Sequence, residues 1–229
     1  MNTFLNFSRA RWAPSMAVRK SLAAVTLLGL VAGCSVLPKP PSRVDIFDFG
    51  PGLTKTAEAS QAATPLPPIA LADFTSAGVP DGRSALFYRL AYSNAQMLYP
   101  YTQARWSQPP TTLMQLAVRD RLGVRRSVIY GDQNIDQQIK GGQSPTVLRA
   151  EVEEFSQVFQ SEKDSVGLVR VRVSMVDSLK AGDELIGQRV FVAQRPAPTP
   201  DAAGGAKALS DAAAQVADEI AQWVEQSKH

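Results

Sequence analysis

The segment VGLVRVRVSMV, residues 166–176, decides the fold of this chain. Apolar and polar side chains alternate along it, as expected for a β-strand with one buried and one solvated face. Segments 146–160 and 184–194 alternate in a similar way, and a turn-like KAGD precedes the second of them. The three segments therefore predict an antiparallel meander. Its middle strand would point Val169, Val171, Val173 and Met175 inward, and Arg170, Arg172 and Ser174 outward.

The first strand of this meander contains an irregularity. Its apolar positions are Leu148, Ala150 and Val152, after which the parity changes to Phe155 and Phe159. Because side chains alternate with a period of two, such a slip indicates one extra residue in the strand. The sequence predicts a β-bulge near Glu153–Glu154.

Shorter strand-like segments and two helical segments complete the domain. The helices are predicted at 108–123, where Pro109 and Pro110 suit the first turn, and at 206–227, which is amphipathic. Strands are predicted at 43–50, 68–74, 84–92 and 127–130. A loop insert is predicted at 53–66, and a linker at 196–205. The pattern predicts a single α+β domain, with an antiparallel sheet of about four to six strands packed against two main helices.

Residues 1–33 have the composition of an export signal peptide. Their charges are all positive, and an apolar run of twelve residues, 21–32, follows them. As a helix this run would be about 18 Å long, shorter than the ~30 Å hydrocarbon core of a bilayer. The leader holds four of the 24 basic residues, so the rest of the chain has 20 basic and 21 acidic residues. This balance predicts no nucleic-acid binding.

The single cysteine of the chain, Cys34, follows this leader in the sequence VAGC. VAGC resembles the bacterial lipobox, in which lipid is attached to the cysteine thiol and cleavage makes that cysteine the new N-terminus. Each buried CH₂ contributes about 0.8 kcal/mol, and two or more acyl chains anchor a protein firmly. We therefore predict lipidation at Cys34 and no disulfide. The alternative, a small buried thiol, does not explain why the charges, the apolar run and the cysteine coincide.

The residues after Cys34 indicate where the domain is held. Residues 34–42 include PKPPS, which favours polyproline II at about 3.1 Å per residue, so the tether reaches only about 30 Å. In Gram-negative lipoproteins an Asp at the next position usually means retention in the inner membrane, whereas this chain has Ser35. The prediction is a periplasmic domain, residues 43–227, lipid-anchored at the periplasmic face of the outer membrane.

The residue types needed for common catalytic and metal sites are scarce. The one histidine is His229, which argues against histidine-based triads and metal clusters. GVPDGRS, residues 78–84, is too short for a phosphate loop and has Arg83 in place of lysine. The carboxylates of Glu151, Glu153 and Glu154 are expected to be solvated. We predict that the protein is not an enzyme, has no catalytic residue, and holds neither cofactor nor metal.

Aromatic residues are concentrated between positions 87 and 106. One interpretation is core filling and cross-strand pairing, and the other is a surface for a partner, since Tyr and Trp supply interface area at low entropic cost. Arg89, among apolar neighbours, could be an ion-pair partner or a ligand. The candidate partner-binding residues are Tyr88, Arg89, Tyr92, Tyr101 and Trp106.

The segment FYRLAYSNAQMLYPYTQARWSQPPTTLMQLAVRDRL, residues 87–122, resembles the signature of the ABC-type transport auxiliary lipoproteins (PqiC-like). EVEEFSQVF, RVRVSMVD, GQRVFVAQRP and a closing helix with Trp223 follow in the order of that family, while the insert at 53–66 departs from it. The resemblance implies a non-catalytic component of an MCE-type lipid transport system. Its partners would be an MCE-domain periplasmic protein and, through it, an ABC permease and ATPase. The sequence is also compatible with a homo-oligomer.

Two other functions are alternatives to a docking role in such a transport system. A structural or regulatory lipoprotein could bind peptidoglycan or a cell-wall synthase through the aromatic residues, but such regulators often need longer tethers than this one. A hydrolase is the weakest alternative, because the chain has no internal histidine.

Overall fold

The computed structural model describes residues 43–51, 66–78, 84–130, 144–179 and 182–227. The predicted signal peptide, Cys34 and the tether at 34–42 lie outside the described residues, as do most of the loop insert predicted at 53–66 and residues 79–83. The strands are β1 Asp45–Phe47, β2 Ile69–Leu71, β3 Thr75–Ser76, β4 Ala85–Leu90, β5 Ala95–Trp106, β6 Val128–Tyr130, β7 Thr146–Phe159, β8 Ser165–Leu179 and β9 Gly182–Pro196. The helices are α1 Ala91–Asn94, α2 Pro110–Leu122 and α3 Ala202–Gln226.

The predicted meander forms one half of the sheet. Strands β7, β8 and β9 pair in antiparallel order over almost their whole lengths. The register of β7 against β8 shifts between Val152 and Glu154, which confirms the predicted bulge. Val169, Val171 and Val173 are fully buried on the helix-covered face. The local alternation was thus sufficient to predict this half.

The other half of the sheet corrects the prediction. The α+β class is confirmed, but the described sheet has nine strands rather than four to six, and it is mixed rather than antiparallel. Strands β2, β3 and β4 lie one after another along the second edge of β7, all parallel to it. Strand β6 pairs parallel with β2, while β5 pairs antiparallel with β4 and parallel with β1. Several of these strands have two or three residues, too few to show a period-two pattern.

The hairpin of β4 and β5 also differs from prediction. The strand predicted at 84–92 ends at Leu90, so Tyr92 lies in the short helix α1 and not on the face of Tyr88. The segment 95–106, which was not predicted as a strand, is the twelve-residue strand β5. Its central Pro100 obscures the signal, because proline is unfavourable inside a sheet except at an edge or a bulge.

The long helix α3 covers the sheet and begins four residues earlier than predicted. Residues 202–205, predicted to be part of a linker, form the first turn of the helix, because Asp201 caps it by accepting a hydrogen bond from the Gly204 amide at 2.8 Å. Glycine is needed where the helix meets the sheet: a Cβ on Gly167 of β8 would lie 2.5 Å from the backbone nitrogen of Leu209. Leu209, Val216 and Ile220 are completely buried against the sheet. Helix α2 packs beside α3. Its last residue is Leu122 and Gly123 caps it, which agrees with the predicted end of the helix at Gly123.

Candidate functional site

The predicted partner-binding residues lie on one β-hairpin, residues 85–106. The structure separates them into an exposed tip, a half-buried tyrosine cluster and a buried tryptophan. Tyr92, in α1 at the tip, is 49% exposed, and Met97 beside it is 47% exposed. The Tyr99 hydroxyl lies 3.0 Å from the Met97 sulfur. The tip therefore presents apolar side chains to solvent, and Met97 is a member that sequence reasoning missed.

Tyr88 is at the centre of the tyrosine cluster. Its ring centroid lies 4.7 Å from that of Tyr101, 5.3 Å from that of Tyr99 and 5.9 Å from that of Phe159. These distances are typical of favourable aromatic pairs. The rings join β4, β5 and β7 on one face, so part of the cluster stabilises the hairpin rather than forming an open surface.

Tyr101 connects this cluster to a buried polar chain. Its hydroxyl donates to Oε1 of Gln157 at 2.8 Å, and the Gln157 amide nitrogen donates to the Ser165 hydroxyl at 2.8 Å. Gln157 has no exposed surface. Burial, together with nearby Tyr88 and Asp201, raises the pKa of Tyr101 to about 12.

A Tyr101→Phe variant is expected to lose about 1–3 kcal/mol of unfolding free energy, because the buried Gln157 oxygen loses its donor. The raised pKa predicts a second effect. The folded state holds the phenol proton more tightly than the unfolded state, so this contribution is complete below about pH 10 and is lost as pH rises through about 12. Urea unfolding at neutral and alkaline pH should therefore show a shallower alkaline decline for Tyr101→Phe than for wild type. Tyr92→Phe, at an exposed position, should change neither quantity; equal alkaline slopes for wild type and Tyr101→Phe would contradict the assignment.

Arg89 is held by an ion pair on the hairpin. Its Nη2 lies 3.0 Å from Oε2 of Glu154, its Nε donates to Oε1 at 3.2 Å, and its Nη1 donates to the carbonyl oxygens of Ala95 and Gln96. This two-point geometry is the strong form of an arginine–carboxylate contact. Arg89 thus joins β4, β7 and the start of β5, and its charge is balanced by Glu154.

Trp106 lies in the core, not on a surface. It is 1% exposed, and its ring packs edge-on against Phe49 and Phe155 with centroids 5.6 and 5.5 Å away. Its Nε1 has no hydrogen-bond partner among the described residues. The prediction that Trp106 contacts a partner directly is wrong for a side chain this deeply buried. The core-filling interpretation applies to it.

The charged residues of the open sheet face pair with each other. Glu153, at the β7 bulge, accepts hydrogen bonds from Arg170 and Arg172 of β8, the latter at 2.7 Å. Both arginines remain partly exposed. This agrees with the predicted outward orientation, and Glu153 and Glu154 each have a structural partner. Among residues 43–227, where described, no three His, Cys, Asp or Glu side chains are grouped to hold a metal ion.

Two further surfaces contain none of the residues that were predicted to bind a partner. Within the described chain, β9 pairs only with β8, so the outer edge of this fifteen-residue strand is open. Leu185 and Val192 on it are 60% and 47% exposed. A groove of about 380 Å³ lies between the loop after β1, α2 and α3, with Phe49, Leu113 and Leu116 in its lining.

No described helix is both long and apolar enough to span a membrane.

The fold resembles two solved structures at low sequence identity. One is protein XCC0632 from Xanthomonas campestris, of the DUF330 family, with 17% identity and a TM-score of 0.58 over 80% of this chain and 92% of that chain. The other is an uncharacterized protein with 10% identity and a TM-score of 0.55 over 80% of this chain and 99% of that chain. These likenesses show the fold alone. No curated protein matches the sequence.

The fold therefore defines a class of α+β domains in which one sheet is covered by helices on one face. The sequence gives the more specific assignment. The chain belongs to the family of ABC-type transport auxiliary lipoprotein components, whose model matches residues 54–221. This confirms the resemblance noted for residues 87–122. The protein is accordingly an auxiliary component of ABC-type transport and a membrane-associated lipoprotein.

Proposed function

We propose that this protein is a non-catalytic docking component of an MCE-type ABC lipid transport system, anchored to the outer membrane through Cys34. Family membership supports an auxiliary transport role. The lipobox cysteine and Ser35 support the anchor and the outer-membrane location. The partner is an MCE-domain protein in the periplasm, which links this domain to a permease and an ATPase in the inner membrane.

The observation that carries the proposal is the open edge of β9. An edge strand presents unpaired backbone N–H and C=O groups, and partners commonly add a strand to such an edge. On β9 this edge has two exposed apolar side chains, Leu185 and Val192. Arg189, the charge nearest the middle of the strand, is drawn back over the Phe191 ring, with 5.1 Å from its Cζ to the ring centroid. The edge therefore offers both backbone pairing and apolar contact.

The sequence-predicted residues contribute differently to this proposal. Tyr88, Arg89, Tyr101 and Trp106 hold the hairpin and the core, while Tyr92 is the exposed member. The test for docking is therefore best made on β9, where substitution leaves the core intact.

A Leu185→Lys/Val192→Lys variant is expected to bind the MCE-domain partner about tenfold or more weakly, since lysine on an edge strand disfavours pairing and one lost hot spot exceeds 1.4 kcal/mol. Affinity would be measured with the purified partner of the same organism. Val124→Lys is the matched control, because Val124 is 43% exposed and belongs to the loop after α2 rather than to β9.

The double variant must keep the far-ultraviolet circular dichroism and urea midpoint of the wild type for the comparison to count. Unchanged affinity in that folded variant would refute docking at β9. Binding of the wild type to sacculi, with no association with the MCE-domain protein, would favour the peptidoglycan-linked role instead.

A further inference from the structure

We propose that the tip of the β4–β5 hairpin, residues 91–99, contacts the bilayer surface in which Cys34 is anchored. This inference rests on the lipid anchor of the proposed function, but not on docking at β9. Three observations carry it: the direction of β1, the length of chain before it, and the chemistry of the tip.

The direction of β1 shows from which side the described chain enters the sheet. Strand β1 runs parallel to β5, with Asp45 opposite Ala104 and Phe47 opposite Trp106. Since β5 begins at the tip, with Ala95, and ends at Trp106, a chain entering β1 comes from the side of the tip. Residues 43–44, which precede β1, therefore lie on the side of that strand that faces the tip.

The lengths of the two segments agree. From Asp45 back to Cys34 there are eleven residue steps, which span at most about 34 Å at about 3.1 Å per step. From Ala104 back to Ala95 along β5 there are nine steps, or about 30 Å at about 3.4 Å per step. A bilayer that holds the lipid on Cys34 is thus within reach of residues 91–99.

The chemistry of the tip suits a lipid interface. Residues 90–104 contain no charged side chain, although charged residues make up 20% of the chain. The flanking Arg89 is paired with Glu154. Tyrosine and other amphipathic aromatics favour the boundary between headgroups and acyl chains, and Tyr92 and Met97 are about half exposed there.

The exposed apolar side chains are concentrated at this edge. Eight large apolar residues are exposed in the described chain, and four of them, Val44, Ile46, Tyr92 and Met97, lie on β1, the residue before it, or the hairpin tip. Strand β9 lies at the opposite edge of the sheet, five strand spacings or about 24 Å from β1. One edge would then face lipid while the other remains open to a periplasmic partner.

The test uses the full, lipidated protein reconstituted in vesicles of phosphatidylethanolamine and phosphatidylglycerol. Because Cys34 is the only cysteine and lipid occupies its sulfur, a Met97→Cys substitution supplies a unique thiol for an environment-sensitive nitrobenzoxadiazole label. Val192→Cys on β9 is the matched control, since Met97 and Val192 are both 47% exposed. We expect the label at 97 to show a blue-shifted emission and quenching by lipids with brominated acyl chains, and the label at 192 to show neither.

Equal emission at the two positions, with no quenching by brominated lipids, would overturn the inference. A blue shift at position 97 that appears only after addition of the MCE-domain protein would also overturn it, in favour of a protein surface. If the Met97→Cys variant is poorly folded, the same emission and quenching are measured with the label on a Tyr92→Cys variant. If the labels at positions 97 and 92 show neither blue shift nor quenching while β9 still binds its partner, only the membrane contact is refuted. An unmodified Cys34 refutes both proposals.

Discussion

Replacing Trp106 with alanine is expected to lower the free energy of unfolding by about 3–5 kcal/mol, the usual cost of removing a buried tryptophan. Trp106 is 1% exposed and contacts Phe49, in the loop after β1, and Phe155, in β7. The cavity would therefore loosen the packing of β1, β5 and β7 together. Urea unfolding followed by circular dichroism measures the effect.

Two variants serve as controls for that loss. Trp106→Phe should cost less, because it keeps an aromatic ring and the Nε1 group has no described partner to lose. Tyr92→Ala, at a 49% exposed position, should stay within about 0.5 kcal/mol of wild type. A Trp106→Ala protein of wild-type stability that fails to bind its partner would restore the surface role that burial argues against.

Replacing Cys34 with serine is expected to abolish lipid attachment and recovery of the protein in the outer-membrane fraction. The thiolate is the nucleophile among these side chains, and a hydroxyl does not substitute for it. Two or more acyl chains at about 0.8 kcal/mol per buried CH₂ provide a near-permanent anchor that the variant lacks. Mass spectrometry of the N-terminal peptide and density-gradient fractionation measure the two losses.

The companion variant Ser35→Asp separates attachment from destination. It should carry the same acyl mass as wild type but remain in the inner-membrane fraction, following the sorting rule of Gram-negative lipoproteins. An unmodified thiol on wild-type Cys34 would contradict the anchor, and an acylated Ser35→Asp protein in the outer membrane would contradict the sorting prediction.

The candidate surfaces illustrate how far sequence patterns extend. The aromatic concentration at 87–106 falls on a single hairpin, but it did not distinguish Tyr92, which is exposed, from Trp106, which is buried. That distinction depends on where the elements end: β4 stops at Leu90, so Tyr92 lies in helix α1 at the tip, whereas Trp106 ends β5 inside the core. The missed residues Leu185 and Val192 gave no signal, because whether a strand lies at an edge depends on what pairs with its far side.

The amino-acid sequence by itself predicts the leader and the lipobox at Cys34, and it determined the β7–β9 meander with its bulge and the family of the protein. These features are local: each depends on charges, apolar runs or a period-two alternation among near neighbours in the chain. Only the tertiary structure decided that β2, β3 and β4 pair parallel with β7, that β1 lies beside the end of β5, and that β9 is left open. Parallel pairings join short strands that are distant in sequence, and they are selected by burial and hydrogen bonding across the whole domain.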